Sequence, residues 1–367
     1  MLLVMLSSMS SVTGYASAER AIEVSFIVPT AKGDIFWDRV VAFMKASAND
    51  LNINLKLAYN DSGNRFGEKQ LAAQLIADEP KPDYLITQVK RNSFVDILKM
   101  SKKTGVLNFT INTEVADKDM ALIGKPRGAF PNWLGQIIPD DFQAGYDLTN
   151  LLVSRAKALG LFANDKPIEM IAINGSRVSS AAIERGEGLA HALSKHPNVK
   201  LQQLIYTDWN EAANMELGTR LLVRHPNTAL IWSGSDAIAI SASKAAVEFG
   251  KRPGKDFLTA GVDWSKDGLE ALSSEAIEAT FGSHFMEGGW ALVLIHDYHH
   301  GLDFKSSVGT TIKTQFYAIT RDNLQQYREI VNPASFDRID FKRYSRLYNP
   351  ERKGYSFNVE SILKQLR

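Results

Sequence analysis

Cysteine is absent from the chain. Its absence excludes thiolate catalysis, cysteine zinc sites, disulfide staples and thiol redox switching. A chain of 367 residues buries enough core to do without disulfides even if exported. A strong charge of either sign is also lacking. The formal net charge is +1, so no global field argues for nucleic acid or an anionic membrane surface. Nor is there a recognisable catalytic or metal motif. Ser233-Gly234-Ser235 is not a nucleophile elbow and lacks placed His and Asp partners. Asp61-Ser62-Gly63-Asn64 lacks the remaining ligands of a calcium loop. What remains is ordinary globular composition, 45% hydrophobic and 23% charged, at a length that favours two domains or two lobes sharing one chain.

The first eighteen residues differ from the rest. Leu2–Met5 are apolar, small and weakly polar residues follow, and Ala16-Ser17-Ala18 precedes the first charges, Glu19 and Arg20. This is the pattern of a cleaved secretory signal over 1–18, without the usual basic start apart from the terminal amine. A membrane anchor is the alternative, but the apolar run is shorter than the roughly 20 residues a span needs. The expected location is the periplasm.

Strand and helix patterns then alternate. Strands are expected over 22–29, 53–58, 84–86 and 106–111, with helices over 37–51, 67–77 and 93–103 between them. After 133–139 the motif restarts. Helices are expected over 140–159, 183–194, 211–224, 237–249, 268–274 and 287–300, and strands over 168–173, 201–207, 229–232, 257–262 and 277–281. Such alternation implies βαβ units and parallel sheets. The expected fold is α/β, with two Rossmann-like parallel-sheet lobes. Residues 337–367 form a basic, tyrosine-containing extension. It reads either as a packed, solvated tail or as a partner-docking surface, because Arg and Tyr are enriched at interfaces.

Several strands end in groups suited to a polyhydroxylated ligand. The first leads to Asp34, Phe36 and Trp37, the fourth to Asn112, the strand from 168 to Asn174 and Arg185, and the strand from 257 to Asp263. Ligands of open α/β sheets bind beyond the carboxyl ends of the strands. With no nucleophile–base pair beside them, these groups favour holding a ligand over converting it, so neither enzyme activity nor a cofactor or metal is expected.

The segments VPTAKGDIFWDRV, VLNFTINTEV, INGSRVSSAAIERGEG, YTDWNEAANM, LIWSGSDAIAISA, TAGVDWSKDGLEAL and ATFGSHFMEGG occur in this order. Together they resemble the type I periplasmic binding proteins of the ribose/galactose class, including the autoinducer-2 receptor branch, over about residues 22–319. The resemblance implies lobes joined by a three-crossover hinge near 136–137, 282–283 and 309–311. The first lobe would be 19–136 plus 283–309, and the second 137–282 plus 310–336. It also implies ligand contacts from Asp34, Phe36, Trp37, Asn112, Arg185, Trp209, Asp236, Asp263 and Ser283.

Each of these has a plainer reading. Asp34, Asp236 and Asp263 could cap helices or turns, Phe36 and Trp37 could be core, Asn112 could close a turn, and Arg185 could pair with Glu184, Glu187 or a remote acid. Ser283 stands where the autoinducer-2 branch has Arg and the ribose branch Gln. Glu216 replaces an amide of the ribose branch, and His284 reads as a satisfied hinge histidine. Acids beside a single Arg favour a neutral sugar or polyol over an anion. The expected partner is the membrane permease of an ABC importer or, alternatively, the periplasmic domain of a sensor kinase or cyclase. A glycosidase would need two carboxylates with separated roles, which nothing in the sequence distinguishes. A DNA-binding regulator would begin with a helix-turn-helix, where this chain has an export-like segment.

Overall fold

A computed structural model describes residues 20–90, 93–115, 120–161, 167–209 and 211–366. The expected export signal over 1–18 lies outside the described residues. Strands β1 (Ile22–Val28), β2 (Ile53–Tyr59), β3 (Tyr84–Thr87), β4 (Leu107–Ile111) and β5 (Trp133–Pro139) belong to one sheet. Strands β6 (Ile168–Asn174), β7 (Val199–Tyr206), β8 (Leu230–Ser233), β9 (Leu258–Val262) and β10 (Ala279–Gly282) belong to another. Two short late strands complete them, β11 (Thr311–Thr314) and β12 (Tyr317–Thr320). The orders are β11-β5-β4-β3-β1-β2 and β12-β10-β9-β8-β6-β7. β1 and β6 are buried at six of seven positions, as parallel strands covered on both faces must be.

The chain passes between the lobes three times. β5 pairs with β4 as far as Ile137 and with β11 as far as Pro139, so the first passage follows Pro139 instead of falling at 136–137. The second lies between Gly282 and His284. β11 still pairs with β5 in the first sheet, and β12 pairs with β10 in the second. The third passage is therefore at Gln315–Phe316, beyond the expected 309–311. No strand was expected over β11 or β12.

Helix Glu287–His299 returns to the first lobe and is buried on every side from Glu287 to Asp297. A helix apolar all round needs cover all round. Helix Ile35–Asp50 supplies one side: a Cβ on Gly288 would lie 2.4 Å from Met44 Cγ, and one on Gly289 2.5 Å from the Phe43 ring. The C-terminal extension supplies another. Phe341 packs on Phe43 at 5.1 Å, while Tyr344 and Phe357 lie 4.7 and 4.9 Å from Trp290. Asp297, fully buried, accepts bonds from Ser345 Oγ, from Arg346 N at 2.6 Å and from Tyr355 Oη at 2.9 Å. Phe341, Tyr344 and Phe357 of the extension thus face inward, Tyr348 stays exposed, and Lys342 and Arg343 reach Asp50 and Asp340 at the surface. Each buried ring contributes on the order of 1.5–3 kcal/mol.

Candidate functional site

The carboxyl ends of both sheets face one another, and a continuous run of side-chain contacts crosses the gap. Phe36, after β1, stacks on the His284 imidazole at 4.6 Å. His284, in the hinge after β10, has Nε2 3.5 Å from Asp263 Oδ1 and its ring 4.8 Å from Phe316. The Arg185 guanidinium lies 5.5 Å from the Phe316 ring and 6.0 Å from that of Trp209. Trp209 lies on Gly175, where any Cβ would meet the indole at 2.1 Å. At the rim the lobes touch directly, Glu114 N donating to Ser180 Oγ at 3.1 Å.

Arg185 is held rigidly. Nε donates to Asp141 Oδ1 and Nη1 to Gly234 O, both at 2.7 Å, which leaves Nη2 for another acceptor. Its partner is therefore a remote acid, not Glu184 or Glu187. Asp34 accepts from Trp37 N at 2.9 Å and caps helix Ile35–Asp50, so it fills the capping role while its charge reaches the cleft. Asn112, at a left-handed φ of 69°, accepts from Gln88 Nε2 at 2.8 Å.

The electrostatics follow from burial. Burial raises the Asp263 carboxyl, Arg185 and Arg39 oppose that, and Asp34 adds to it. Burial, reinforced by Arg185, holds His284 down to about 3, so the imidazole is neutral at neutral pH. Its Nδ1 is buried without a hydrogen-bond partner. Glu287 is pushed well above the ordinary carboxyl range by burial, although Thr314 donates to its Oε1 at 2.6 Å. Glu184 is raised to about 8, first by burial and then by Asp141 and Glu114.

Three expected contacts have other engagements. Trp37 is 8% exposed and packs against Phe26 at 6.2 Å inside the first lobe, so of the aromatic pair only Phe36 reaches the cleft. Asp236 is completely buried, and its Oδ2 accepts from Ser265 N and Oγ, both at 2.8 Å. It braces the turn behind Asp263 from beneath, and Ser235, not Asp236, caps helix Asp236–Glu248. Likewise Ser265, not Asp263, caps helix Lys266–Ser273. Ser283 donates to Gln315 O at 2.6 Å, which ties the second passage to the third. Glu216 pairs with Arg220 on an exposed helix face.

Sequence reasoning missed Arg39, Asp141 and Phe316. Arg39 carried a usable signal, since it follows Phe36 by three residues on one helix and so shares its face. Asp141 opens a helix like many acids, and Phe316 lies in a two-residue link with no pattern.

Comparisons with known proteins agree with the two-lobed α/β fold. The family described as periplasmic binding protein domain matches residues 24–301. The galactofuranose-binding protein of Escherichia coli K12 is 24% identical over 232 residues, 62% of this chain and 67% of its own. The D-apiose import binding protein of Paraburkholderia graminis is 22% identical over 276 residues, 73% of this chain and 78% of its own. A crystal structure of a periplasmic sugar-binding protein from Pseudomonas fluorescens superposes with a TM-score of 0.83 at 32% identity, covering 94% of this chain and 99% of that one.

Proposed function

The chain belongs to the periplasmic binding protein family, and from that premise we propose that it captures a neutral monosaccharide or related polyol between its lobes and delivers it to an ABC importer. The observation that carries this reading is the unbroken run Phe36–His284–Asp263 with Phe316–Arg185–Trp209, which begins on one lobe and ends on the other. Phe36 and Trp209 offer apolar plates to the C–H face of a sugar ring. Asp263 accepts from hydroxyls, the remaining Arg185 Nη2 donates to one, and Asn112 and Asp34 add further polar groups. A neutral imidazole at His284 suits an uncharged ligand, and several buried carboxyl groups would repel an anion. Carboxyl groups committed to Arg185, Ser265 and Thr314 are poorly arranged for acid–base work, which favours binding without turnover. Relatives named for galactofuranose, apiose, xylitol, ribose and allose support the ligand class. The import-binding names among them favour an importer over a sensor as partner. Residues 1–18 would direct export.

The test is a thermal-shift screen of the purified mature chain with D-ribose, D-allose, D-galactose, xylitol and D-apiose, since a ligand bound only by the folded state raises Tm. At least one of these is expected to raise Tm saturably. No shift with any sugar or polyol, and a shift with phosphorylated sugars, would contradict the reading.

A further inference from the structure

The Asp263 carboxyl group hangs from constrained backbone. Asp263 and Trp264 have φ values of 126° and 55°, in the half of conformational space that non-glycine residues avoid. Such a stretch keeps its shape only when its surroundings over-determine it. Its own lobe provides three restraints: Asp263 N donates to Phe281 O at 2.6 Å, Trp264 N to Thr280 Oγ1 at 3.0 Å, and Ser265 N to Asp236.

One more restraint comes from the first lobe and another from the segment that follows β12. Arg39, on helix Ile35–Asp50 of the first lobe, donates from Nη1 to the carbonyl of Asp263 at 3.3 Å and to that of Trp264. Its guanidinium is buried over the Phe285 ring at 5.4 Å. Tyr327, in the segment after β12, lies 5.2 Å from the Trp264 indole. The residues that follow Tyr327 are fixed to the first lobe. Phe336 packs on Phe43 and Phe285 at 5.2 and 5.6 Å, and Asp50 Oδ2 accepts from Phe341 N and Lys342 N. One apolar cluster accordingly contains Phe43 and Phe285 of the first lobe, Trp264 and Leu272 of the second, and Tyr327 and Phe336.

We propose that Arg39, from the first lobe, and Tyr327, from the segment between β12 and the C-terminal extension, are positioning residues that clamp the Asp263–Trp264 turn, so that a C-terminal segment outside the cleft helps set how well Asp263 is presented to the ligand. Hydrogen bonds fade within a fraction of an ångström, so the Arg39 contacts exist only over a narrow range of interlobe angle. Closure makes them and opening breaks them. Ligand and clamp therefore favour the same arrangement, and each strengthens the other by the same factor. The inference rests on Asp263 being a ligand contact, as proposed above.

The test uses the full mature chain as wild type, Tyr327→Ala and Tyr327→Phe. In hydrogen exchange without ligand, amides 263–265 of Tyr327→Ala are expected to exchange at least about tenfold faster, while those of β6 stay as in wild type. Tyr327→Phe keeps the ring and should match wild type. In the second arm, whichever of D-ribose, D-allose and D-galactose raises the wild-type Tm is titrated into each protein, and Tyr327→Ala should bind about tenfold more weakly. Unchanged exchange at 263–265, equal acceleration in β6, or faster exchange with unaltered affinity would each overturn the clamp. If none of the three sugars shifts the wild-type Tm, it is the ligand reading that suffers, and the exchange arm still decides the clamp. Should Tyr327→Ala fail to fold, Tyr327→Leu removes the ring while keeping apolar bulk and carries the same readouts.

Discussion

The two lobes share one strand order yet contribute unlike halves to the cleft. Their outermost late strands already differ, β11 running parallel to β5 and β12 antiparallel to β10, because the chain leaves one sheet and enters the other across two residues. The first lobe brings Phe36, Asn112 and the guanidinium of Arg39. The second brings most of the buried charge, in Asp141, Arg185 and Asp236, with Asp263 partly exposed above them. The first lobe also carries most of the extension over helices Ile35–Asp50 and Glu287–His299. A duplicated frame thus keeps the loops at matching strand ends, and the side chains on those loops are free to diverge. One lobe offers an apolar plate on a well-covered core. The other offers polar groups whose fields are set by burial.

Substitutions that strike one lobe and spare the other sharpen this contrast. Arg185→Ala should have the largest effect. It leaves Asp141 buried and uncompensated, which costs about 3–5 kcal/mol of stability, and it removes the donor left for the ligand. Chemical denaturation and titration should show both losses together. Phe341→Ala, at a fully buried ring, should cost about 3–4 kcal/mol by opening a cavity against Phe43. Its exchange should quicken in helix Ile35–Asp50 while β6 to β9 stay protected; an equal loosening of both lobes would erase the contrast.

A smaller effect is expected from pH. Asp141, Asp236, Asp263, Glu184 and Glu287 are all raised in the folded protein. Between their unfolded values near about 4 and their folded ones, the folded state holds more protons than the unfolded, so stability falls as pH rises. The window extends to about 8, the value for Glu184. His284 acts oppositely, because its folded value of about 3 lies below the ordinary one, so it adds stability as pH rises towards about 6.5. The Tm of the ligand-free protein should therefore decline from about pH 5 to about pH 8, more steeply below about pH 7, where Asp236 and Asp263 still hold their protons, than above it. Glu184→Gln should flatten the decline most between about pH 7 and 8, where Asp236 and Asp263 no longer contribute. A Tm that rises between those pH values would contradict the assignment.

Much of this was legible in the residues. Hydrophobic patterns located the long helices, and apolar runs bounded by turn residues located the buried strands. The loops after β1, β4, β6 and β9 were expected to carry the proposed site because they follow those strands. Their individual side chains were less readable. Phe36 and Trp37 are adjacent aromatics, and only the direction in which a helix turns each one decides which meets the cleft. Asp236 and Asp263 are both acids at strand ends, but one lies beneath a turn and the other at its surface. Arg39, Tyr327 and Phe316 act through contacts between segments distant in the chain, for which no spacing rule exists.

The central claim is that one ligand is gripped from both lobes with Asp263 as its main acceptor. Calorimetric titration of the sugar with the largest thermal shift, in wild type and Asp263→Asn, addresses it directly. The account predicts one site per chain, a loss of at least about thirtyfold in affinity for the variant, as expected for a charge-assisted bond of about 2 kcal/mol or more, and no fall in the denaturation midpoint. Wild-type affinity in Asp263→Asn would contradict it.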